Sequence, residues 1–373
     1  MGKMMRAIGL MSGTSMDGID VALIASDGGE RVERRASATF PYTAALRGRL
    51  RAGIAAAAAL ETRQARPQPL AALEAELTAL HADAVTSFLV EVGQSPADID
   101  VIGFHGHTVL HAPERGVTVQ LGDGAALARA TRIGVVYDLR AADVAAGGQG
   151  APLAPAYHAA LMARQKKPVV IVNIGGVANV TWIGAAGELL AFDTGPGNAL
   201  LDDYVQRRLS LACDQDGKLA ARGRPHADMV TEYLRHPYFG ERPPKSLDRN
   251  TFQLAPVEAL SDADGAATLT AFTVESIARA REHFPAQPQL WVVSGGGRRN
   301  KTLMTMLAGR VEAAVAPAEA VGVDGDALEA EAWAYLAVRA VRGLPISFPG
   351  TTGVGQPLPG GVYAAAGGGR AGT

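Results

Sequence analysis

Asp193 combines the residue type and the position that a general base requires. It ends the apolar run ELLAFD and is followed by the Thr-Gly-Pro-Gly sequence 194–197, which stops the strand. A base must have a fixed position, be partly removed from water and reach the attacking oxygen. The sequence therefore predicts that Asp193 activates an oxygen nucleophile. The alternative is that Asp193 caps a helix that begins near Asn198.

Three glycine-rich turns, each directly after an apolar strand, have the composition of phosphate-binding loops. Backbone amides and hydroxyls bind phosphate oxygens, and a carboxylate is a suitable ligand for Mg²⁺. The loops comprise Gly13, Thr14, Ser15, Met16, Asp17 and Gly18; Asn173, Gly175 and Gly176; and Gly295, Gly296 and Gly297. An ordinary tight turn is the alternative for any one loop, but three together favour the binding of one polyphosphate.

Two well-known nucleotide-binding motifs do not fit this sequence. The stretch GGGRRNKT at 295–302 is similar to the end of a P-loop, but Asn300 stands where that motif requires glycine. No turn with GxGxxG spacing opens a helix, which disfavours a dehydrogenase. Any nucleotide site must therefore use a different arrangement of loops.

A group of polar residues between the two halves of the sequence is suited to binding a polar substrate. Its members are Asp138, Arg140, Asp143 and Gln149, within YDLRAADVAAGGQGAP. Surface salt bridges are the alternative interpretation of this group. The sequence of this group does not distinguish substrate binding from surface salt bridges.

Histidines and glutamates elsewhere give weaker signals. His105, His107 and His111 are spaced by two and four residues, which matches no zinc pattern, so polar substrate contacts or turn positions are favoured. Glu329 and Glu331 lie early in the last predicted helix, where acidic residues also interact favourably with the helix dipole. Their positions alone therefore indicate no function.

The elements that must position these residues occur in the same order in both halves of the chain. Each half is predicted to form three strands, a helix, a strand, a helix and a strand. The clearest helix is expected at 70–92, where apolar residues recur at helical spacing. We therefore predict a duplicated α/β fold with a ligand-binding cleft between its halves. The predicted domains are 1–133 and 134–373, with an exposed insertion near 236–256.

Composition excludes several classes of protein. Among 373 residues, 35 basic and 37 acidic side chains give a formal charge of -2, so no global field attracts nucleic acid or an anionic membrane. Cys213 is the sole cysteine, which excludes an internal disulfide and a cysteine-based zinc cluster. No apolar run approaches the roughly 18 residues of a membrane helix, so we predict a soluble, cytoplasmic protein.

Eight sequence blocks together resemble the anhydro-N-acetylmuramic acid kinase family of the sugar kinase, Hsp70 and actin superfamily. In family order they are GLMSGTSMDGIDVAL, FHGHT, DLRAADVAAGGQGAPLAP, VNIGGVANV, FDTGPGN, PKS, VSGGGRRN and LEAEAWAYLAVR. The resemblance extends over nearly the whole chain, and a match to eight ordered blocks is far more specific than any one glycine loop. It implies duplicated, RNase H-like domains of the actin and hexokinase type, with ATP in the interdomain cleft.

The resemblance also implies a reaction and the residues that perform it. The family cleaves the 1,6-anhydro bridge of its sugar with water and transfers the γ-phosphoryl group of ATP to O6. The products are N-acetylmuramic acid 6-phosphate and ADP, in peptidoglycan recycling. Asp193 would activate the water. The ATP-binding residues would be Gly13, Thr14, Ser15, Met16, Asp17, Gly18, Ile19, Asp20, Asn173, Gly175, Gly176, Gly295, Gly296, Gly297 and Asn300. The sugar-binding residues would be His105, Asp138, Arg140, Asp143, Gln149 and Glu329.

Some details of the resemblance stay open. Asp17 is the predicted Mg²⁺ ligand, and a homodimer is implied. His107 stands where many relatives carry Gln, which leaves the sugar contacts there undecided. One alternative function is an ordinary sugar or polyol kinase in which Asp193 deprotonates a substrate hydroxyl. Another is an actin- or Hsp70-like ATPase that binds a protein; the polar group at 138–149 argues against it.

Overall fold

The computed structural model describes residues 2–13 and 16–367 of the chain. These residues divide into two compact units. The first unit combines Met1–Ala163 with Ala327–Thr373, and the second is the continuous segment Arg164–Asp326. Among the helices that the described residues form, none has both the length and the apolar character needed to cross a membrane.

Strands and helices are numbered here in chain order. The strands are β1 Met5–Ser12, β2 Gly18–Ser26, β3 Val32–Pro41, β4 Val101–Ala112, β5 Val117–Leu121, β6 Val135–Tyr137, β7 Val169–Ile174, β8 Val177–Ile183, β9 Leu189–Pro196, β10 Leu290–Ser294, β11 Ala314–Pro317 and β12 Val362–Ala364. The helices are α1 Ala44–Ala57, α2 Leu70–Glu91, α3 Gly124–Thr131, α4 Ala141–Ala145, α5 Pro155–Leu161, α6 Ala199–Leu209, α7 Ala227–Leu234, α8 Asp262–Arg279, α9 Lys301–Val311, α10 Leu328–Val341 and α11 Pro349–Thr352.

Both units contain a sheet with the same strand order. In the first unit the order is β3-β2-β1-β4-β6, with β12 added at the edge and β5 paired to β4. In the second unit the order is β9-β8-β7-β10-β11. Each sheet begins with an antiparallel meander of three strands. On the other side of its first strand, two further strands continue the sheet in parallel: β4 and then β6 in the first unit, and β10 and then β11 in the second. This is the RNase H-like arrangement, and its occurrence in both units confirms the predicted duplicated α/β fold.

The sheet of the first unit is covered by helices on both faces. Ile8 and Leu10 of β1 are buried in the core that also contains the apolar side of α2. Because side chains alternate along a strand, Gly9 lies on the opposite face, against α10. The predicted helix at 70–92 is confirmed by α2, and its buried positions follow the apolar spacing read from the sequence.

Helix α10 lies directly on the backbone of two neighbouring strands. Gly9 of β1 and Gly103 of β4 are partners in the parallel ladder. A Cβ atom on Gly9 would lie 1.8 Å from the carbonyl oxygen of Ala330, and one on Gly103 would lie 2.0 Å from that of Trp333. Only glycine permits this distance, because the atoms in the way belong to helix backbone and not to flexible side chains.

We expect Gly103→Ala to lower the free energy of unfolding by about 3 kcal/mol, in the upper part of the usual range for overpacked sites. The matched control is Gly48→Ala in α1, where nothing lies within 4 Å of the added methyl group. Since alanine is the better helix former, this control should raise the free energy of unfolding by about 1 kcal/mol. Urea unfolding of both variants measures the effects. Equal stability of the two variants would contradict the close packing of α10.

The compact units differ from the predicted domains 1–133 and 134–373. Residues 134–163 pack in the first unit, since β6 pairs with β4 at the centre of its sheet. The segment that begins at Ala327 also belongs to the first unit, because α10 packs on β1, β2 and β4. Local sequence patterns predicted these elements but carried no information about which sheet they join.

Candidate active site

The first glycine loop connects β1 to β2. Its described part is a turn in which Met16 N–H donates to Gly13 O at 3.0 Å, and Met16 has a positive φ of 57°. Thr14 and Ser15, both predicted to bind ATP, lie outside the described residues. Asp17 is exposed at the end of the loop.

Three further residues predicted in this loop have structural roles. A Cβ atom on Gly18 would lie 2.4 Å from Phe40 O, so close packing against β3 already explains this glycine. The Ile19 side chain is buried in the core of the first unit, which leaves only its backbone for a nucleotide contact. Asp20 accepts a hydrogen bond from the Thr39 hydroxyl at 2.6 Å.

The other two glycine loops lie side by side in the second unit. Asn173 of β7 and Ser294 of β10 are partners in a parallel ladder, so the loops after these strands leave the sheet at the same edge. A Cβ atom on Gly295 would lie 2.4 Å from Asn173 Oδ1, which shows how closely the loops approach. The prediction that these two loops come together is therefore supported within this unit.

Three glycines in these loops are not required by protein packing. For Gly175, Gly176 and Gly296, the nearest atom to an added Cβ is 3.6 Å away, an ordinary contact distance, and none has a positive φ. Glycine at such a position gives a ligand access to the backbone amides. This fits the approach of phosphate oxygens, which bind well to N–H groups in such turns. Gly297 differs, because its missing side chain makes room for Ile174.

Asn300 caps a helix. It precedes α9, and its Oδ1 accepts the Leu303 N–H at 2.9 Å. The side chain is buried, and its oxygen is already used by the helix. The side chain therefore has a capping role, which typically contributes about 1 kcal/mol to stability, and the predicted contact of Asn300 with ATP stays a prediction.

Asp193 lies within β9, at the same edge of the sheet as the two glycine loops. In the ladder it is the partner of Asn179 on β8, which in turn is the partner of Asn173 on β7. The N-cap of α6 is Asn198 and not Asp193, so the alternative capping role is wrong. The position that the sequence predicted, a carboxylate held on a rigid strand, is the one the fold provides.

The segment 238–247 surrounds Asp193 and fixes it at three points. Leu247 N–H donates to Asp193 Oδ2 at 2.8 Å, Asp193 N–H donates to Lys245 O at 3.0 Å, and the Tyr238 hydroxyl donates to the Asp193 carbonyl oxygen. Burial raises the pKa of Asp193 to about 6, although the Leu247 N–H partly offsets this. Asp193 is thus an ionised, desolvated and immobilised carboxylate at neutral pH.

Arg140 is the centre of a polar cluster in the first unit. Its Nη1 donates to Gly150 O at 2.9 Å, while Nε and Nη2 point to His105 Nε2 at 3.4 and 3.2 Å. The guanidinium lies 5.0 Å from the ring centre of Trp333, on which His105 also stacks. Because a guanidinium only donates, His105 Nε2 must be an acceptor. Burial and Arg140 hold the pKa of His105 well below its usual value, so this histidine is neutral.

Glu329 is exposed at the start of α10, and its carboxyl group interacts with the same cluster. Desolvation by the surrounding protein and the nearby Asp20 raise the pKa of Glu329, whereas Arg140 lowers it. The structure thus brings together three predicted sugar-binding residues, His105, Arg140 and Glu329. Sequence reasoning missed Trp333, although it lies four residues after Glu329 and hence on the same helix face.

The other three predicted sugar-binding residues are used differently. Asp143 is buried, and its two oxygens accept the Gly150 N–H and the Thr352 hydroxyl, both at 2.6 Å. Asp138 forms an ion pair with Arg63. The Gln149 side chain is exposed, while its N–H donates to Thr352 O. Asp143 thus joins two chain segments, and its predicted sugar contact stays a prediction.

The residues present fit a magnesium ion only in combination with a substrate. Within residues 2–13 and 16–367, no group of three or more His, Cys, Asp or Glu side chains could hold a metal ion. Mg²⁺ in kinases is usually held by one or two carboxylates together with substrate phosphates, so a site with few protein ligands is compatible with it. Exposed Asp17, at the end of the first loop, meets that requirement.

The two RNase H-like sheets place the protein in the actin and hexokinase class of folds. Within that class, the chain belongs to the anhydro-N-acetylmuramic acid kinase family, whose model matches residues 5–365.

Relatives of similar length agree with this assignment. The anhydro-N-acetylmuramic acid kinase of Rhizorhabdus wittichii is 53% identical and aligns over 96% of this chain and 98% of its own. That of Methylobacterium nodulans is 54% identical over 96% and 100% of the two chains. A solved xylulose kinase from Lactobacillus acidophilus is far more distant, with a TM-score of 0.46 and 8% identity over 91% and 89% of the two chains. The resemblance predicted from the sequence is confirmed.

Proposed function

We propose that this protein is a phosphotransferase that acts on a sugar alcohol group with ATP. It hydrolyses the 1,6-anhydro bridge of anhydro-N-acetylmuramic acid and phosphorylates O6, giving N-acetylmuramic acid 6-phosphate and ADP during peptidoglycan recycling. Relatives 53% identical over almost their whole length bear the name of this kinase. The observation that carries the proposal is Asp193, a half-buried carboxylate held by the Leu247 N–H at the sheet edge where two glycine loops leave the second unit.

In this proposal Asp193 is the general base. It takes a proton from water as the water oxygen bonds to C1 of the sugar and the bond from C1 to O6 breaks. O6 then bonds to the γ-phosphorus, and the bond from that phosphorus to ADP breaks. One water and one ATP are consumed per product. A carboxylate whose pKa is about 6 is ionised at neutral pH and basic enough to accept the proton.

The loops supply positioning and charge neutralisation, which are the main demands of phosphoryl transfer. The amides at Gly175, Gly176 and Gly296 would bind phosphate oxygens, and the turn from Gly13 to Asp17 would do so in the first unit. Mg²⁺, with Asp17 as its protein ligand, would neutralise the phosphate charge. We also propose that the protein is a homodimer. Analytical ultracentrifugation measures the oligomeric state.

Arg140 and Glu329 would bind the sugar, with His105 fixing the orientation of Arg140. The guanidinium is held by Gly150, by His105 and by the face of Trp333, so little side-chain entropy is lost when it binds a ligand. Glu329 provides the acceptor for a sugar hydroxyl. These groups support a polar small molecule as the substrate.

Isotope labelling tests the coupled reaction. In ¹⁸O-enriched water, with anhydro-N-acetylmuramic acid and ATP, we expect one heavy oxygen at C1 of the product. The ester oxygen should carry no label, because it comes from the original bridge, and neither should the phosphoryl group. Mass spectrometry of the product fragments locates the label.

Two other labelling results would contradict this mechanism. A phosphorylated product that keeps its anhydro bridge would indicate an ordinary sugar kinase, in which Asp193 deprotonates a hydroxyl. Label in free phosphate with an unaltered sugar would indicate an ATPase. The fold and family assignment do not depend on the result.

A further inference from the structure

Ser12 stands at the point where β1 enters the first glycine loop. Its side chain is 1% exposed, and its Oγ lies 2.8 Å from the Tyr42 hydroxyl and 2.9 Å from His107 Nδ1. Ser12 and His107 are partners in the parallel ladder between β1 and β4. Three separate chain segments thus meet at one hydroxyl group beneath the loop.

Tyr42 connects the two ends of this loop. Its hydroxyl contacts Ser12, the residue before the loop, and its N–H donates to Asp17 O at 2.9 Å at the other end. Tyr42 follows β3 directly, so the ladder between β2 and β3 fixes its backbone. Tyr42 therefore adds a second connection between the ends of this loop, beyond the ladder of β1 with β2.

The contacts at Ser12 are made by uncharged groups. Burial raises the pKa of Tyr42 to about 12 and lowers the pKa of His107 to about 4. The other ring nitrogen of His107, Nε2, is buried and has no hydrogen-bond partner among the described residues. Leaving a polar atom buried without a partner is costly, so stability alone does not account for histidine at this position.

We propose that Tyr42 and His107 are positioning residues that act through Ser12 to fix the ends of the first glycine loop, Gly13 on one side and Met16 and Asp17 on the other, for phosphate binding. The inference rests on the proposed function in that the loop is taken to bind ATP. Amides bind phosphate well only when their positions are fixed in advance, because no binding energy is then spent on ordering the loop. Neither positioning residue touches the nucleotide.

The test uses Tyr42→Phe and His107→Ala in the full-length protein. Tyr42→Phe removes only the hydroxyl and keeps the N–H bond to Asp17. We expect kcat/KM for ATP to fall roughly 10- to 100-fold in each variant, since small misplacements of binding groups have effects of this size. The KM for the sugar should stay within about twofold of its wild-type value. A general loss of folded protein would not affect the two substrates differently in this way.

Two further variants separate positioning from structural damage. His107→Gln replaces the ring with an amide that can still bond to the Ser12 hydroxyl, and it should restore most of the activity that His107→Ala loses. Tyr204→Phe removes a buried tyrosine hydroxyl in the second unit, where it bonds to Ser261 O, and should leave both substrate constants unchanged. A wild-type kcat/KM for ATP in Tyr42→Phe and His107→Ala would overturn the inference. An increase in the KM for the sugar as large as that in the KM for ATP would also overturn it.

Binding of AMPPNP, measured by calorimetry without sugar, separates this inference from the proposed function. If the wild-type protein binds AMPPNP but does not turn over the anhydro sugar, the proposed function is wrong. The inference then still predicts that Tyr42→Phe weakens AMPPNP binding at least tenfold. Unchanged AMPPNP affinity in that variant would overturn the inference even if the kinase activity is confirmed.

Discussion

Asp193→Asn is expected to lower kcat by about 10² to 10⁴, the usual contribution of a general base. The asparagine oxygen can still accept the Leu247 N–H, and the bonds from Tyr238 and to Lys245 involve only the backbone of residue 193. The substitution therefore removes proton acceptance and little else. Single-turnover rates with the anhydro sugar and ATP measure the loss, and AMPPNP binding shows that the nucleotide site is intact.

The same substitution should increase stability. The pKa of Asp193 is raised from 3.8 to about 6 in the folded protein, so the ionised form is disfavoured by folding at neutral pH. Asn carries no charge to desolvate, and the free energy of unfolding at pH 7 should rise by up to about 3 kcal/mol. A fall in activity together with a rise in melting temperature is what we expect for a carboxylate that is desolvated for catalysis at a cost in stability.

The pH dependence of the wild-type enzyme follows from the same pKa. Because only the ionised form accepts a proton, kcat/KM should fall tenfold per pH unit below about pH 6, and Asp193→Asn should lack this acid limb. Asp202→Asn is the matched control, since burial also raises the pKa of Asp202 to about 6. The control should keep both turnover and the acid limb. Near wild-type turnover in Asp193→Asn would show that another group is the base.

Glu331→Gln is expected to lower the free energy of unfolding by about 3 to 5 kcal/mol, whereas Glu329→Gln should impair activity without this loss. Arg34 Nε donates to both oxygens of Glu331, at 2.8 and 2.9 Å, and the Tyr157 hydroxyl donates to one of them at 2.8 Å. An amide at position 331 would present its NH₂ group to donors. Glu329 is exposed and its pKa is raised, so making it neutral breaks no buried ion pair and should cost little stability.

Urea unfolding and steady-state kinetics of the two variants check this contrast. We expect Glu329→Gln to raise the KM for the sugar at least tenfold, roughly the loss of one charged hydrogen bond. Glu331→Gln should retain its KM at temperatures where it is folded. The reverse pattern, with instability at position 329 and a sugar defect at 331, would show that the two glutamates have been assigned the wrong roles.

Local sequence patterns predicted the fold class and part of the site, but not which sheet the segments 134–163 and 327–373 join. Helix α2 and the strands around Asp193 could be predicted because apolar spacing and strand-ending Gly-Pro sequences are local signals. The roles of Asp143 and Asn300 could not, since carboxylate and amide groups serve equally well as ligands and as braces or caps. Only the folded structure shows that Asp143 joins Gly150 to Thr352 and that Asn300 caps α9.

Long-range contacts explain the remaining differences. Glu329 and Glu331 are two residues apart and have the same type, yet one faces Arg140 and the other Arg34. Trp333 carries the stacking face of the polar cluster, and only the packing of α10 brings it to His105. The spacing of residues within one helix or strand does not indicate which distant element that helix or strand packs against.

Because α10 packs against Gly9 and Gly103, the first unit cannot be completed until the last part of the chain has been synthesised. The first unit is interrupted by the whole of Arg164–Asp326, and its covering helix emerges only afterwards. At ordinary rates of translation this interval is roughly 10 to 30 s. During it the second unit can fold as a continuous segment, while one face of the first sheet is still uncovered and available to chaperones. A chain that ends before Leu328 therefore contains the whole second unit but only part of the first.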